Sequence, residues 1–202
     1  MELPERLVVA TFNRGKLKEI EHIWRRFFPD VRLLGLWEFE GIGKPVESGD
    51  TCEENACEKA VWAVRRTGLP AIADDSGIEV AALGGLPGVR SARFAGEGAS
   101  DADNNALLLK MLDGVPRSER AARFVCVAAY ADGNGSIVAR ARGECSGFIL
   151  DAPRGTGGFG YDPLFWVPEY GKTFAELPPE VKNSISHRAK AFSRLAEMIR
   201  DA

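Results

Sequence analysis

The stretch between residues 123 and 142 constrains the fold most. RFVCVAAY (123–130) and SIVARAR (136–142) are strand-like, and ADGNGS joins them with turn chemistry. A long hairpin in mid-chain demands antiparallel pairing, so the sheet cannot be purely parallel. Around that hairpin, helices and strands alternate. Residues 6–11 (RLVVAT) form a short buried strand and 12–15 a polar turn. Residues 16–28 have helical spacing, with Leu17, Ile20, Ile23, Trp24 and Phe27 on one face. Pro29 and Asp30 stop that helix, and 31–36 is a second strand. Residues 38–49 make a Gly-rich loop containing acids. Thr51 with Glu54 fits a capping box, opening a helix whose inner face is Ala56, Ala60, Ala63 and Val64. A strand at 70–75 runs on as an extended segment at 77–83. A loop rich in Gly and Arg (84–96) precedes a capped helix at about 101–113. A second Gly-rich loop (155–163), a short strand (164–167) and a C-terminal helix from about 187, with Phe192, Leu195 and Ile199 aligned, complete the chain. The expected class is α/β: a mixed sheet flanked by helices, one domain over 1–202, with two lobes and a cleft between them.

Composition removes several functions. The chain has 202 residues, enough to bury a full core without staples. Lys and Arg total 26 against 29 Asp and Glu, a net charge of -3, which disfavours a non-specific nucleic-acid binder. No apolar run approaches the roughly 18 residues of a membrane span. MELPERLVVA places two acids before a short apolar stretch, unlike a signal peptide. Cys52, Cys57, Cys126 and Cys145 include no CxxC pair, so reduced thiols in a cytoplasmic protein are expected, not zinc or a disulfide framework. His22 and His187 are the only histidines, so any metal is held by oxygen ligands, which points to Mg2+ or Mn2+.

Five segments could carry chemistry, and each also has a plain structural use. Thr11-Phe12-Asn13-Arg14-Gly15-Lys16 lies between a strand and a helix, where backbone N–H groups and a lysine suit phosphate. It is not a Walker A loop, since Ala10 replaces the first Gly and Leu17 follows the lysine. An ordinary capped turn would look the same. ADDSG (73–77) ends an apolar strand with two acids, and strand alternation lets only one of Asp74 and Asp75 face a given ligand. Asp-Ser-Gly is also good turn chemistry. Glu47 precedes Glu54, Asn55 and Lys59; the last two share a polar helical face opposite the Ala stripe, which a solvated face would also explain. GTGGFGYDP (155–163) lets backbone approach a ligand while Phe159 and Tyr161 offer rings for a base, or it is a tight loop with aromatics in the core. Lys182, Ser186, His187 and Arg188 gather donors at a helix start, or merely cap it.

Taken together and in this order, the five segments resemble the inosine triphosphate pyrophosphatase family, the XTP/dITP diphosphatases. The resemblance runs from about residue 7 to 200 and rests on TxNxxK, ENAxxKA, ADDSG, GVRSARFAG, GTGGFGYDP and SISHR. Phe12 departs from it, standing where many members have Gly. The resemblance implies an elongated mixed sheet with a deep cleft, a homodimer, and hydrolysis of ITP, dITP and XTP to monophosphate and pyrophosphate with Mg2+, a house-cleaning role. It implies that Thr11, Phe12, Asn13, Arg14, Gly15, Lys16 and Ser76 bind the triphosphate. Glu47 and Asp75 would hold the metal, with Asp75 and Lys59 catalytic. Phe159, Gly160, Tyr161, Asp162, Lys182, His187 and Arg188 would enclose base and sugar, with Arg188 donating to the 6-oxygen. The rival readings are a Maf-type nucleotide pyrophosphatase of other base specificity, against which SISHR and FGYD argue, and a non-catalytic nucleotide-binding protein.

Overall fold

The computed structural model describes residues 3–202; part of the N-terminal segment argued above, Met1 and Glu2, lies outside them. Among the described residues the sheet is mixed and eight-stranded, in the order β2 (Arg32–Gly35), β1 (Arg6–Val9), β3 (Ala71–Val80), β5 (Ala121–Ala131), β6 (Ile137–Ile149), β7 (Phe165–Val167) and β8 (Lys172–Thr173), with β4 (Pro87–Gly88) paired to β3. The described chain resolves into two compact units. One holds the residues up to Asp75, Cys126–Gly143 and Ser186–Ala202; the other holds Ser76–Val125 and Glu144–Ile185.

In the first unit β1 (Arg6–Val9) pairs in parallel with β2 (Arg32–Gly35) and with the start of β3 (Ala71–Val80). Strand alternation divides its apolar residues between two cores. Leu7, Val9, Ile72, Cys126 and Ala128 face α1 (Arg14–Trp24) and α5 (His187–Arg200). Val8, Ala10, Ala71, Ala73 and Val127 face α2 (Cys52–Thr67). On the first face Trp24 and Phe192, both fully buried, meet edge to face at 6.3 Å. On the second, the small side chains of Ala56, Ala60 and Ala63 pack with Ala71 and Ala73. Asn13 caps α1 by accepting from the Lys16 N–H at 3.0 Å. Thr51 and Glu54 close the expected capping box of α2, and Gly68 ends that helix at φ +70°, where a side chain would be strained.

The second unit takes the far ends of β3, β5 (Ala121–Ala131) and β6 (Ile137–Ile149), with β4 (Pro87–Gly88), β7 (Phe165–Val167) and β8 (Lys172–Thr173). α3 (Asp101–Met111) and α4 (Pro179–Ile185) belong to it. Its core centres on Phe124, Phe165 and Phe174, with Phe124 stacked on Phe174 at 5.7 Å.

The expected elements are present with shifted ends. α1 stops at Trp24, not 28, because residues 26 and 27 revert to three-residue hydrogen bonds to Ile23 and Trp24. The segments expected at 70–75 and 77–83 merge into the single strand β3, which ends at Val80 where Ala81–Leu83 turn into a 3-10 helix, and β6 runs seven residues past 142, to Ile149. β5 and β6 meet at a turn in which Asp132 Oδ1 accepts from Asn134 and Ser136 N–H groups. α4 was not expected: its seven residues are too few to show a period. Phe192→Ala should cost about 3–5 kcal/mol of stability. Urea unfolding checks this, and a loss below about 1 kcal/mol would contradict the packing described.

Candidate active site

Adjacent residues of β3 point to opposite faces, so Asp74 and Asp75 serve separate clusters within the first unit. Asp74, 3% exposed, lies on the α1 and α5 face. Its Oδ2 accepts from Lys16 Nζ at 3.2 Å and from Arg188 Nη2 and Nε at 3.0 and 3.3 Å. Arg188 Nη1 donates to Glu19 Oε2 at 2.6 Å. Two acids and two bases thus form a neutral, mostly buried quartet. Burial opposes charge on Arg188, but Asp74 and Glu19 outweigh it, so the guanidinium is held charged even more firmly than usual.

Asp75 lies on the α2 face. Lys59 Nζ donates to Asp75 Oδ1 at 2.7 Å and to Glu47 Oε1 at 2.8 Å. Asn55 Nδ2 donates to Asp75 Oδ2 at 3.3 Å, while its own Oδ1 accepts from the Gly49 N–H and fixes the loop that carries Glu47. Asn55 and Lys59, expected opposite the Ala stripe, are instead buried beside it at 0% and 4% exposure. The stripe is narrow because alanine is small, and the two polar residues border it on the inward side. Burial works against the Lys59 charge, yet Asp75, Glu47 and Asp74 raise its pKa above the ordinary lysine value. Between these carboxylates Lys59 is held as the ammonium. Cys52 is no nucleophile: burial, then the neighbouring Asp75 carboxylate, push its thiol up to about 12.

The 11–16 turn begins α1. Thr11 Oγ1 accepts from the Asn13 N–H at 3.1 Å, which leaves the hydroxyl proton and the Asn13 amide donors for an anion. No acid lies in the first turn of α1 itself, which suits an anion at that helix end. Phe12 is exposed and Gly15 half-buried; the Arg14 guanidinium sits 4.9 Å over the Trp37 ring. Ser76, half-buried, follows Asp75 in β3.

A separate cluster lies wholly in the second unit. The Asp162 carboxylate accepts from the Phe159 N–H at 2.9 Å and from Lys182 Nζ at 2.5 Å. Lys182 Nζ stands 4.9 Å from the centre of the half-buried Phe159 ring. Gly158 (φ +72°) leaves no room for a Cβ against the Asp162 carboxylate. Tyr161, expected to offer its ring to a base, is 4% exposed within the core, and its hydroxyl donates to the Ser91 carbonyl at 2.9 Å. Of the loop residues proposed for the base, Phe159 and Gly160 retain exposure.

Of the residues expected at the base, His187 and Arg188 belong to the first unit, on α5. Arg188 is 2% exposed, with its guanidinium directed at Asp74 and Glu19. The sequence reading missed Glu19 and Trp37, which are single residues on amphipathic or short elements. The one sequence signal for Glu19 was its i,i+3 spacing from Lys16.

Residues 7–198 match the Ham1 family. A dITP/XTP pyrophosphatase of Desulforamulus reducens is 53% identical over 194 residues, covering 96% of this chain and 95% of that protein. One from Geobacter sulfurreducens is 53% identical, covering 95% of each. A solved structure of a HAM1 protein from Coxiella burnetii superposes with a TM-score of 0.85 at 40% identity, covering 98% of this chain and 99% of that one.

The Lys59 contacts predict a pH response. Its pKa is higher folded than unfolded, so its stabilisation is complete below the ordinary lysine value and lost as pH rises through the folded one. Lys59→Met should lower the unfolding free energy by about 3 kcal/mol, constant from about pH 7 to 9 and shrinking above about pH 10.5. Urea titrations of both proteins across that range check it; a gap that already closes at about pH 8 would contradict a strengthened ammonium.

Proposed function

The chain belongs to the Ham1 family, and on that premise we propose that it hydrolyses ITP, dITP and XTP to the nucleoside monophosphate and pyrophosphate, keeping deaminated purines out of DNA and RNA. The observation that carries the reading is the convergence of Glu47 and Asp75 on one cationic point, occupied by Lys59 Nζ. Phosphoryl transfer needs positioning and charge neutralisation more than covalent chemistry. This cluster is built for both.

Among the described residues, no group of three or more His, Cys, Asp and Glu side chains is disposed to hold a metal. Two carboxylates are nonetheless a donor set that suits Mg2+, or Mn2+, which takes its remaining ligands from phosphate and water. Glu47 and Asp75 would hold it, and the ion would neutralise phosphate charge and acidify a bound water. The chain's own residues do the rest. Asp75 accepts the proton of the attacking water. Lys59, charged, faces the charge that develops on the phosphoryl oxygens. Lys16 exchanges Asp74 for a phosphate, and the donors of Thr11, Asn13 and Ser76 with the backbone of Phe12, Arg14 and Gly15 bind the chain of phosphates. Phe159 and Gly160 take the base, braced by Tyr161, Asp162 and Lys182. His187 and Arg188 are proposed for the base and sugar as well, and Arg188 also holds Asp74. All 202 residues serve as one catalytic domain, which we place in a cytoplasmic homodimer acting on free nucleotides and not on nucleic acid. Among the described residues no helix is long and apolar enough to cross a membrane.

Incubation with ITP should give IMP and pyrophosphate in equal amounts, with no IDP, when resolved by anion exchange. Release of orthophosphate with IDP would contradict the proposal. Chelation by EDTA should abolish turnover and added Mg2+ restore it; full turnover in EDTA would remove the metal from the account.

A further inference from the structure

We infer that Asp101 and Asn105 of α3 are positioning residues for the Phe159–Asp162 loop and thereby for the base. The inference rests on the reading above that this loop meets the base. Gly160 offers one N–H and one carbonyl, and both are taken by α3. Its N–H donates to Asp101 Oδ2 at 2.6 Å, and Asn105 Nδ2 donates to its carbonyl at 2.9 Å. Asp101 and Asn105 are four residues apart, so they rise from one helical face as a two-pronged clamp. Gly160 itself has φ +60° and open space around its Cα, so a surface loop here could have used water for both groups. Side chains 55 and 59 residues away hold them instead. Phe159 is the adjacent residue, and its N–H is fixed by Asp162. The clamp therefore sets the backbone from which the Phe159 ring projects.

Asn105 carries a sign that stability alone did not select it. Its Oδ1 is buried without a partner. The amide cannot turn over to relieve this, because its Nδ2 is committed to the Gly160 carbonyl. An unmet buried acceptor destabilises the folded state. A side chain kept at that cost beside a binding loop fits a functional constraint more than a packing one.

The experiment compares Asn105→Leu, Asp101→Ala, Asp101→Asn and Phe159→Ala with the wild type, using ITP kinetics, inhibition by inorganic tripolyphosphate, and thermal unfolding. Asn105→Leu and Asp101→Ala should each raise KM for ITP about tenfold, with kcat within about twofold. Asp101→Asn, which keeps an acceptor oxygen, should stay near wild type. Tripolyphosphate has no base, so its inhibition should be unchanged in all four. Asn105→Leu should melt no lower than the wild type, since the orphaned acceptor is gone. An unchanged KM in Asn105→Leu and Asp101→Ala, alongside a raised KM in Phe159→Ala, overturns the clamp alone. An unchanged KM in Phe159→Ala overturns the base-loop reading and the inference with it. Parallel loss of ITP and tripolyphosphate affinity, or a fall in kcat at constant KM, also overturns the inference, because either means general loosening or a role in the chemistry.

Discussion

A single buried carboxylate ties the start of α1 and the start of α5 to the sheet. Asp74 accepts from Lys16, 58 residues before it, and from Arg188, 114 residues after it. Lys16 opens α1 and Arg188 opens α5, so two helices that share an apolar core also share an ionic anchor at one end. Glu19 balances the second cation. A buried network of this kind gains little over an apolar one, but losing any member leaves charge uncompensated at a cost of about 3–5 kcal/mol. It therefore specifies geometry more than it adds stability. The geometry it specifies is that of the turn proposed to bind phosphate, because Asn13 and Lys16 sit on the helix end that Asp74 anchors.

The pleat of β3 then separates two jobs that the sequence writes side by side. One face of the strand holds Asp74 between Lys16 and Arg188, and the other presents Asp75 to Lys59 and Asn55. On the α2 face, Lys59 keeps Glu47 and Asp75 together although both are acids. An ammonium pinned between two carboxylates is pre-organised, so little reorganisation is needed when phosphate charge enters. Arg188 lies on the Asp74 side of this division, with its donors on Asp74 and Glu19.

Much of this was legible in the residues themselves. The hairpin, the period of α1 and α5, and the capping box at Thr51 are local signals, and the chain folds as those signals say. Alternation in β3 also gave the right division between Asp74 and Asp75. Burial of Asn55 and Lys59 was not legible, because a polar pair on a helix looks the same whether water or a carboxylate lies opposite. The inward contacts of Tyr161 and Arg188 were not legible for a related reason: an aromatic or a guanidinium in a motif can point inward, and only tertiary partners such as the Ser91 carbonyl and Glu19 decide it. α4 and β8 are too short for periodicity to register.

The division of labour at β3 is the central claim, and one paired measurement tests it: kcat for ITP and the urea midpoint, for Asp74→Asn and Asp75→Asn. Asp75→Asn should lower kcat by roughly 10²–10⁴ and shift the midpoint only slightly. Asp74→Asn leaves Lys16 and Arg188 facing a neutral amide and should lose about 3 kcal/mol of stability with the milder loss of kcat. Equal losses of kcat and of stability in the two proteins would contradict the account, since the faces of β3 would then not separate chemistry from anchoring.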